Sequence, residues 1–337
     1  MRIIVDAMGG DRAPGEVVRG AVWAAEELGI EPVLVGQKER IEEVLGTLGR
    51  RPRLEIMDAR EVIGMDEAAM AIRRKRDSSM VRSLQLLRDG YGAAAVSAGS
   101  TGGLVAGGLL IVGRIRGIRR PVLASVLPSL KGSSLLLDMG AHTEARPEDL
   151  LQSAVMGARY AEFALGIRAP RVALVNNGTE ADKGSELTKA AHSLLAASSL
   201  NFIGNIEGRD IHSGTADVLV TDGFTGNVIL KHTEGLASAI FAILREELNQ
   251  GLGSKLGALL LKPAFRRIKR RMDYAEYGGA PLIGINGALI KCHGSSNALA
   301  IMNGIRVARD FARGEVVRRL TDYFSEEDDH EQPEQNH

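Results

Sequence analysis

The chain has one cysteine, Cys292, so it can close no disulfide within itself and offers no C-x-x-C pair for a metal or redox couple. Aromatic residues make up only 4%, which argues against a surface that stacks bases, and no nucleic-acid partner is expected. No run reaches the roughly 18 apolar residues of a membrane span. The opening MRIIVDAMGG enters a strand-like run directly and lacks a signal-peptide core. A cytoplasmic protein, free or attached to a membrane surface, is therefore expected. Several catalytic signatures are missing as well. There is no G-x-x-x-x-G-K-[ST], no H-E-x-x-H and no G-x-S-x-G, so a P-loop NTPase, a zinc hydrolase and a serine triad lose support. No D-x-x-x-D cluster is present for a metal-dependent dehydrogenase. Nothing implies a metal or an organic cofactor.

What the chain does have is glycine, 40 residues of 337, in an otherwise ordinary globular composition of 45% hydrophobic and 25% charged residues. Much of it recurs in one kind of junction, where an apolar run ends in a polar glycine loop and a helix-like pattern follows. The junctions are VDAMGGD at Val5–Asp11, VSAGSTGG at Val96–Gly103, VNNGTEADKGSE at Val175–Glu186, VTDGFTGN at Val220–Asn227 and IKCHGSSN at Ile290–Asn297. Such a turn presents free backbone N–H groups at the positive end of a helix dipole, which suits a small oxyanion, phosphate above all.

Between the junctions, strands alternate with helices. Arg2–Ala7, Pro32–Gly36, Arg53–Asp58, Ala93–Ser97, Arg171–Val175, Asn201–Ile206 and Ala216–Thr221 read as strands. The apolar spacing predicts helices from Pro14 to Gly29, over Lys38–Leu48, Pro147–Leu165, Gly184–Ala197 and Gly226–Leu248, and a last one over Ser295–Arg313. Ser78 or Ser79 caps another that ends near Asp89. Pro121–Leu127 and Ser133–Met139 read as a hairpin about the turn Pro128–Gly132. Ile283–Ile285 and Ala288–Cys292 complete the strands. The pattern predicts a three-layer α/β/α fold with a mostly parallel sheet, in which ligands sit beyond the carboxyl ends of the strands. Residues 1–324 form one expected domain. Net charge is zero over the whole chain, with 42 basic and 42 acidic residues. Six of the acidic ones fall in Ser325–His337, which has no Lys or Arg and reads as a disordered tail.

DAMGGD at Asp6–Asp11, AIRRKRDSSM at Ala71–Met80, VSAGSTGG at Val96–Gly103 and NGTEADKGSELTK at Asn177–Lys189 resemble the bacterial phosphate acyltransferase family. So do NFIGNIEGRDI at Asn201–Ile211, DGFTGNVILK at Asp222–Lys231 and MDYAEYGGAPLIGINGALIKCHGSS at Met272–Ser296. The resemblance covers about residues 1–313. It implies transfer of a fatty acyl group from acyl carrier protein to orthophosphate, giving an acyl phosphate for phospholipid synthesis. It also implies a homodimer with the architecture of phosphotransacetylase and isocitrate dehydrogenase. Two positions depart from the family pattern: Ser100 and His142 each stand where Asn is usual.

The residues can be read for that chemistry. Phosphate is itself a nucleophile near neutral pH, so the enzyme must hold it, align it with a thioester carbonyl and stabilise the oxyanion. Lys183, just before a helix, is the leading charged candidate, and Asn227 can donate to the same oxygen. Ser100, Thr101 and Gly102 can line the phosphate pocket with Gly9, Gly10, Gly178 and Thr179. Asp222, Gly223 and Thr225 belong to the loop that carries Asn227, and His293 approaches from KCHGSS. Cys292 and His293, adjacent on a strand, point to opposite faces and make no dyad; Cys292 reads as a small buried residue.

Two segments speak to partners. Arg73, Arg74, Lys75 and Arg76 form a basic run within Met65–Met80, either a solvated face or a loop over the substrate. In the 251–279 segment, Pro263 suits a helix start, and Phe265, Ile268 and Met272 then fall on one face. Arg266, Arg267, Lys269, Arg270 and Arg271 fill the remainder, beside the apolar knob Leu259, Leu260 and Leu261. Such a basic amphipathic helix fits an anionic membrane surface or an acidic carrier protein. The competing readings are a short-chain acyl-CoA phosphotransacetylase, a nicotinamide-dependent dehydrogenase of the same architecture, and a non-enzymatic membrane scaffold.

Loss of one charge-assisted hydrogen bond used in the transition state costs roughly 10- to 100-fold in rate. Lys183→Ala is expected to lower kcat/KM on that scale; an unchanged value removes Lys183 from the mechanism.

Overall fold

The computed structural model describes residues 1–49, 54–141, 144–272 and 278–330. Eleven strands among them form one sheet: β1 (Arg2–Asp6), β2 (Glu31–Gly36), β3 (Glu55–Asp58), β4 (Ala94–Ser97), β5 (Val122–Ser129), β6 (Gly132–Leu137), β7 (Val172–Asn176), β8 (Phe202–Glu207), β9 (Val218–Val220), β10 (Ala280–Ile283) and β11 (Ala288–Lys291). Their spatial order is β3-β2-β1-β4-β11-β10-β5-β6-β9-β7-β8.

Strand direction reverses in the middle of this sheet. β1 to β4 and β11 are mutually parallel, as are β6, β7, β8 and β9. β10 is antiparallel to both its neighbours, and β5 is antiparallel to β6, with Ala124 opposite Leu137 and Ser129 opposite Gly132. The two parallel sets therefore run in opposite directions. The glycine loops after β1, β4 and β11 lie at one rim, and those after β7 and β9 at the other. All five loops follow the carboxyl ends of their strands, divided between the two rims. The β5–β6 hairpin itself is present as expected.

Both faces of the sheet are covered, as near-continuous apolar strands require. Ile3 and Val5 of β1 and Leu135 and Leu137 of β6 pack into one core layer; Ile4 and Leu136, one residue out of phase, pack into the other. The first layer is roofed by α1 (Gly15–Leu28), α6 (Pro147–Leu165), α7 (Glu186–Ala197) and α10 (Ala298–Arg313). The second takes α4 (Ser79–Arg88) and α5 (Thr101–Gly107), with a π-helical turn over Gly108–Val112. Their ends follow the expected chemistry. Ser78 caps α4 by accepting from Val81 N, Asn297 caps α10 by accepting from Ala300 N, and α1 ends at Gly29 in the left-handed region. Cys292 is fully buried.

The remaining helices are α2 (Lys38–Thr47), the short α3 (Ala71–Arg74), α8 (Gly223–Leu248), α9 (Gly251–Met272) and α11 (Val316–His330). Two of them differ from the sequence reading. Pro263 lies inside α9, which starts twelve residues earlier at Gly251, so the leucine knob and the basic stretch share one helix. α11 runs past Ser325 to His330, where a disordered tail was expected. Val316, Leu320 and Phe324, at i, i+4 and i+8, are buried against the core and carry this helix into the acidic run. Residues 331–337 lie outside those described.

α8 and α9 pack on each other, and much of their surface faces solvent. No helix among the described residues is long and apolar enough to cross a membrane.

Candidate active site

At the first rim, three loops are sewn together. The Ser97 hydroxyl donates to Asp6 Oδ2 at 2.6 Å, and Gly99 N donates to Ser97 Oγ at 3.0 Å. Asp11 N donates to Gly294 O at 2.8 Å, and Cys292 N to Ser97 O at 2.9 Å. The carboxyl of Asp6 is buried, and burial pushes its pKa above the usual carboxylate value. Gly9 must be glycine here: a Cβ would stand 2.7 Å from both Asp6 Oδ2 and Gly99 N. Over this rim lies Met65–Met80. Met80 packs against Gly99 and Gly103, Ala69 against Gly102, and Met65 against Gly294. Within the basic run, Lys75 donates to Val62 O at 2.7 Å and pairs with Glu67, which holds that carboxyl below its usual value.

At the other rim, the start of α8 sits against the loop after β6. Asp222 caps the helix, accepting from Thr225 N at 2.9 Å and from Thr225 Oγ1 at 2.7 Å. Gly226 allows the approach, since a Cβ there would lie 2.1 Å from Asp138 O. Asp138 Oδ1 accepts from Ala141 N at 2.7 Å and shapes that loop. These contacts set Asn227 just past the first turn of α8, beside Gly140.

A cavity of about 350 Å³ spans the reversal in the sheet. Its apolar wall is Leu123, Val126, Leu127 and Pro128 of β5, with Met139 and Leu230. Its polar residues include Thr101 from the first rim, Asn227 from the second, Lys291 and His293 from the end of β11, Ser125 of β5 and Thr233 of α8. Lys231 and Glu234 of α8 also line it. Partial burial raises the Glu234 carboxyl above its usual value. His293 Nδ1 lies 2.8 Å from Ser295 Oγ and accepts from Ser295 N at 3.2 Å.

Of the residues picked from sequence, Thr101, Asn227 and His293 thus come together in one cavity. Gly9, Gly10, Ser100 and Gly102 lie beside it in the first rim and do not line it. Ser100 is buried and serves as the N-cap of α5, accepting from Gly103 N. Asp222, Gly223 and Thr225 build the start of α8 behind Asn227. Gly178, Thr179 and Lys183 stand on the loop after β7 and are not in the lining. Lys183 is exposed, and its carbonyl accepts from Asn176 Nδ2 at 3.0 Å. In α9, Leu259, Leu260, Leu261, Arg266 and Arg267 are exposed and are not in the lining. The side chains of Lys269 and Arg270, and all of His142, lie outside the described residues. Among the described residues no group of three or more His, Cys, Asp or Glu side chains is placed to hold a metal.

A family described as fatty acid synthesis protein matches residues 1–319. A phosphate acyltransferase of Heliobacterium modesticaldum is 52% identical over 327 residues, which is 96% of this chain and 98% of that protein. One from Desulfitobacterium hafniense (strain DSM 10664 / DCB-2) is 55% identical over 322 residues, 95% of this chain and 96% of its own. The chain belongs to the phosphate acyltransferase family. Membership makes it a transferase. Among solved structures, a phosphotransacetylase from Streptococcus pyogenes superposes with a TM-score of 0.60, covering 92% of this chain and 94% of its own at 18% identity. At that identity the likeness is one of fold, and the expected phosphotransacetylase-like architecture is present.

The sequence reading of this family member missed Lys291. It is 7% exposed, and its Nζ donates to Ala98 O at 3.5 Å and, closely, to Cys292 O. Burial pulls its pKa down to about 8, against the opposing pull of Cys292, Asp6 and Asp11. The same burial pushes the Cys292 thiol up to about 12, so this thiol is no nucleophile at neutral pH. One signal was available. A lysine closing the apolar strand ALIK, immediately before a glycine loop, is a charge where a fully buried strand should have none.

Proposed function

We propose that this chain transfers a fatty acyl group from an acyl carrier protein thioester to orthophosphate, yielding an acyl phosphate used in phospholipid synthesis. The observation that carries this reading is the cavity, which joins an apolar wall to a polar end. Leu123, Leu127, Met139 and Leu230 suit an acyl chain, and Thr101, Asn227, His293 and Lys291 suit phosphate and a developing oxyanion. Phosphate attacks the thioester carbonyl directly. Asn227 donates to the carbonyl oxygen as charge builds there, and Thr101, in the first turn of α5, helps to hold the phosphate. Lys183 enters as an exposed cation on the loop after β7. β7 is the parallel neighbour of β9, whose own loop leads to Asn227. Its Lys183→Ala variant therefore reports whether this loop completes the site over bound phosphate.

The partners follow from the two-helix arm. Leu236, Ile240, Ile243 and Leu244 form an exposed apolar stripe on α8, which a second copy of the chain covers in a homodimer. Leu259, Leu260 and Leu261 are 64%, 75% and 51% exposed, a concentration of apolar surface suited to an interfacial anchor. Arg266 and Arg267 follow on the same helix and provide positive charge for an acidic carrier protein. The protein then works in the cytoplasm, against the inner face of the membrane.

The deciding assay mixes long-chain acyl carrier protein with orthophosphate, adding no metal or nicotinamide, and traps the product with hydroxylamine. Hydroxamate that depends on phosphate is expected. Intact thioester, with turnover only of short-chain acyl-CoA, overturns the carrier-protein reading. Flotation with anionic liposomes checks the anchor: Leu260→Glu is expected to leave the vesicle fraction, and undiminished flotation contradicts a membrane role for the knob.

A further inference from the structure

Release of a thiol requires a proton donor at the departing sulfur. Lys291 is placed to serve as one. It ends β11, beside the glycine loop after β4, and its side chain lines the cavity together with Thr101, Asn227 and His293. An ammonium carries three donors. Two are taken by the carbonyls of Ala98 and Cys292, and no carboxylate lies within ion-pair distance of it among the described residues. A buried cation held by carbonyls alone keeps one N–H for whatever enters the cavity.

We propose that Lys291 is the acid that protonates the departing sulfur. This rests on the acyl-transfer reading above. A phosphate oxygen of hydrogen phosphate bonds to the thioester carbon, and the carbonyl electrons move to oxygen. The tetrahedral adduct collapses, the C–S bond breaks with its electron pair on sulfur, and Lys291 Nζ gives that sulfur a proton. The neutral amine then recovers the proton that the new acyl phosphate sheds from its phosphate hydroxyl. Hydrogen phosphate and thioester thus become acyl phosphate dianion and thiol, with no change of oxidation state. The chemistry is matched in strength. A Lys291 ammonium near 8 is at least as acidic as a thiol, whose ordinary value in cysteine is about 8.5, so proton transfer to the departing thiolate is favourable.

Asp6 and Asp11, in and after β1, and Cys292, next to it in the chain, act on the Lys291 charge, while His293, Lys231 and Glu234 line the same cavity. Because the acid must be protonated, activity is present below its pKa and is lost as pH rises through about 8.

The test compares two thioesters of the same long-chain acid. One is an alkyl thioester of pantetheine, and the other carries an aryl thiol acidic enough to leave unprotonated. For the wild-type enzyme, kcat/KM on the alkyl thioester is expected to fall above pH about 8, with no such limb on the aryl thioester. Lys291→Arg keeps the charge and the donors but cannot release a proton. It should lose about 10²- to 10⁴-fold on the alkyl thioester and far less on the aryl one. Lys291→Met should follow the same pattern. Equal losses on both thioesters, or a base limb common to both, overturn the assignment and leave Lys291 as a phosphate or structural contact. The wild-type comparison decides even if both variants misfold. If wild type makes no acyl phosphate from either thioester, the acyl-transfer reading itself fails; if it does and only the ratio is flat, Lys291 alone is excluded.

Discussion

The reversal of strand direction at β10, β5 and β6 is the constraint on which the site depends. A wholly parallel sheet would place every strand-to-helix loop along one rim, with the cavity walled by loops alone. Here β10 is hydrogen-bonded antiparallel on both sides, and the hairpin from β5 to β6 turns the second parallel set round. The result is a cavity laid across the middle of the sheet, with β5 as its apolar wall. Thr101 and Lys291 reach it from one rim, and Asn227 reaches it from the other. The acyl group and phosphate require opposite surroundings, and this topology supplies both within about 350 Å³.

Electrostatics at the polar end come from few sources. Helix starts contribute fixed partial positive charge, and Lys291 adds a whole one from a buried position. That lysine is costly to bury, which is why its pKa falls. The neighbouring Asp6 is buried as well, satisfied by Ser97 Oγ and by Met8 N at 3.3 Å. The fold thus keeps a buried acid and a buried base near each other without pairing them. A direct ion pair would quench both charges and leave no mobile proton.

Much of the architecture was legible in local chemistry. Pro147–Leu165 appears as written in the apolar spacing, Ser78 as a cap, Gly29 as a left-handed stop, and the β5–β6 hairpin as two apolar runs about a polar turn. The reversal at β10 was not legible, because a four-residue strand carries no record of which neighbours it pairs with. Lys291 was hidden for a related reason: whether a strand-end lysine meets solvent or carbonyls is decided by β4 and by the loop after it. Pro263 reads locally as a helix start, yet the preceding residues already have a helical pattern, and the chain passes through. The acidic run after Ser325 masked the period-four pattern of Val316, Leu320 and Phe324. Of the site, Thr101, Asn227 and His293 were found because each stands in a glycine junction. Lys183 was chosen on the same ground, and it sits on a loop outside the lining.

A crystal structure with orthophosphate and a non-reactive acyl-pantetheine thioether tests the central claim directly. The account predicts phosphate within about 2.7–3.2 Å of donors on Thr101, with the thioether sulfur facing Lys291 Nζ and the acyl chain along Leu123, Leu127 and Leu230. Phosphate held on the loop of Lys183, with the cavity across the sheet empty of both ligands, would contradict it.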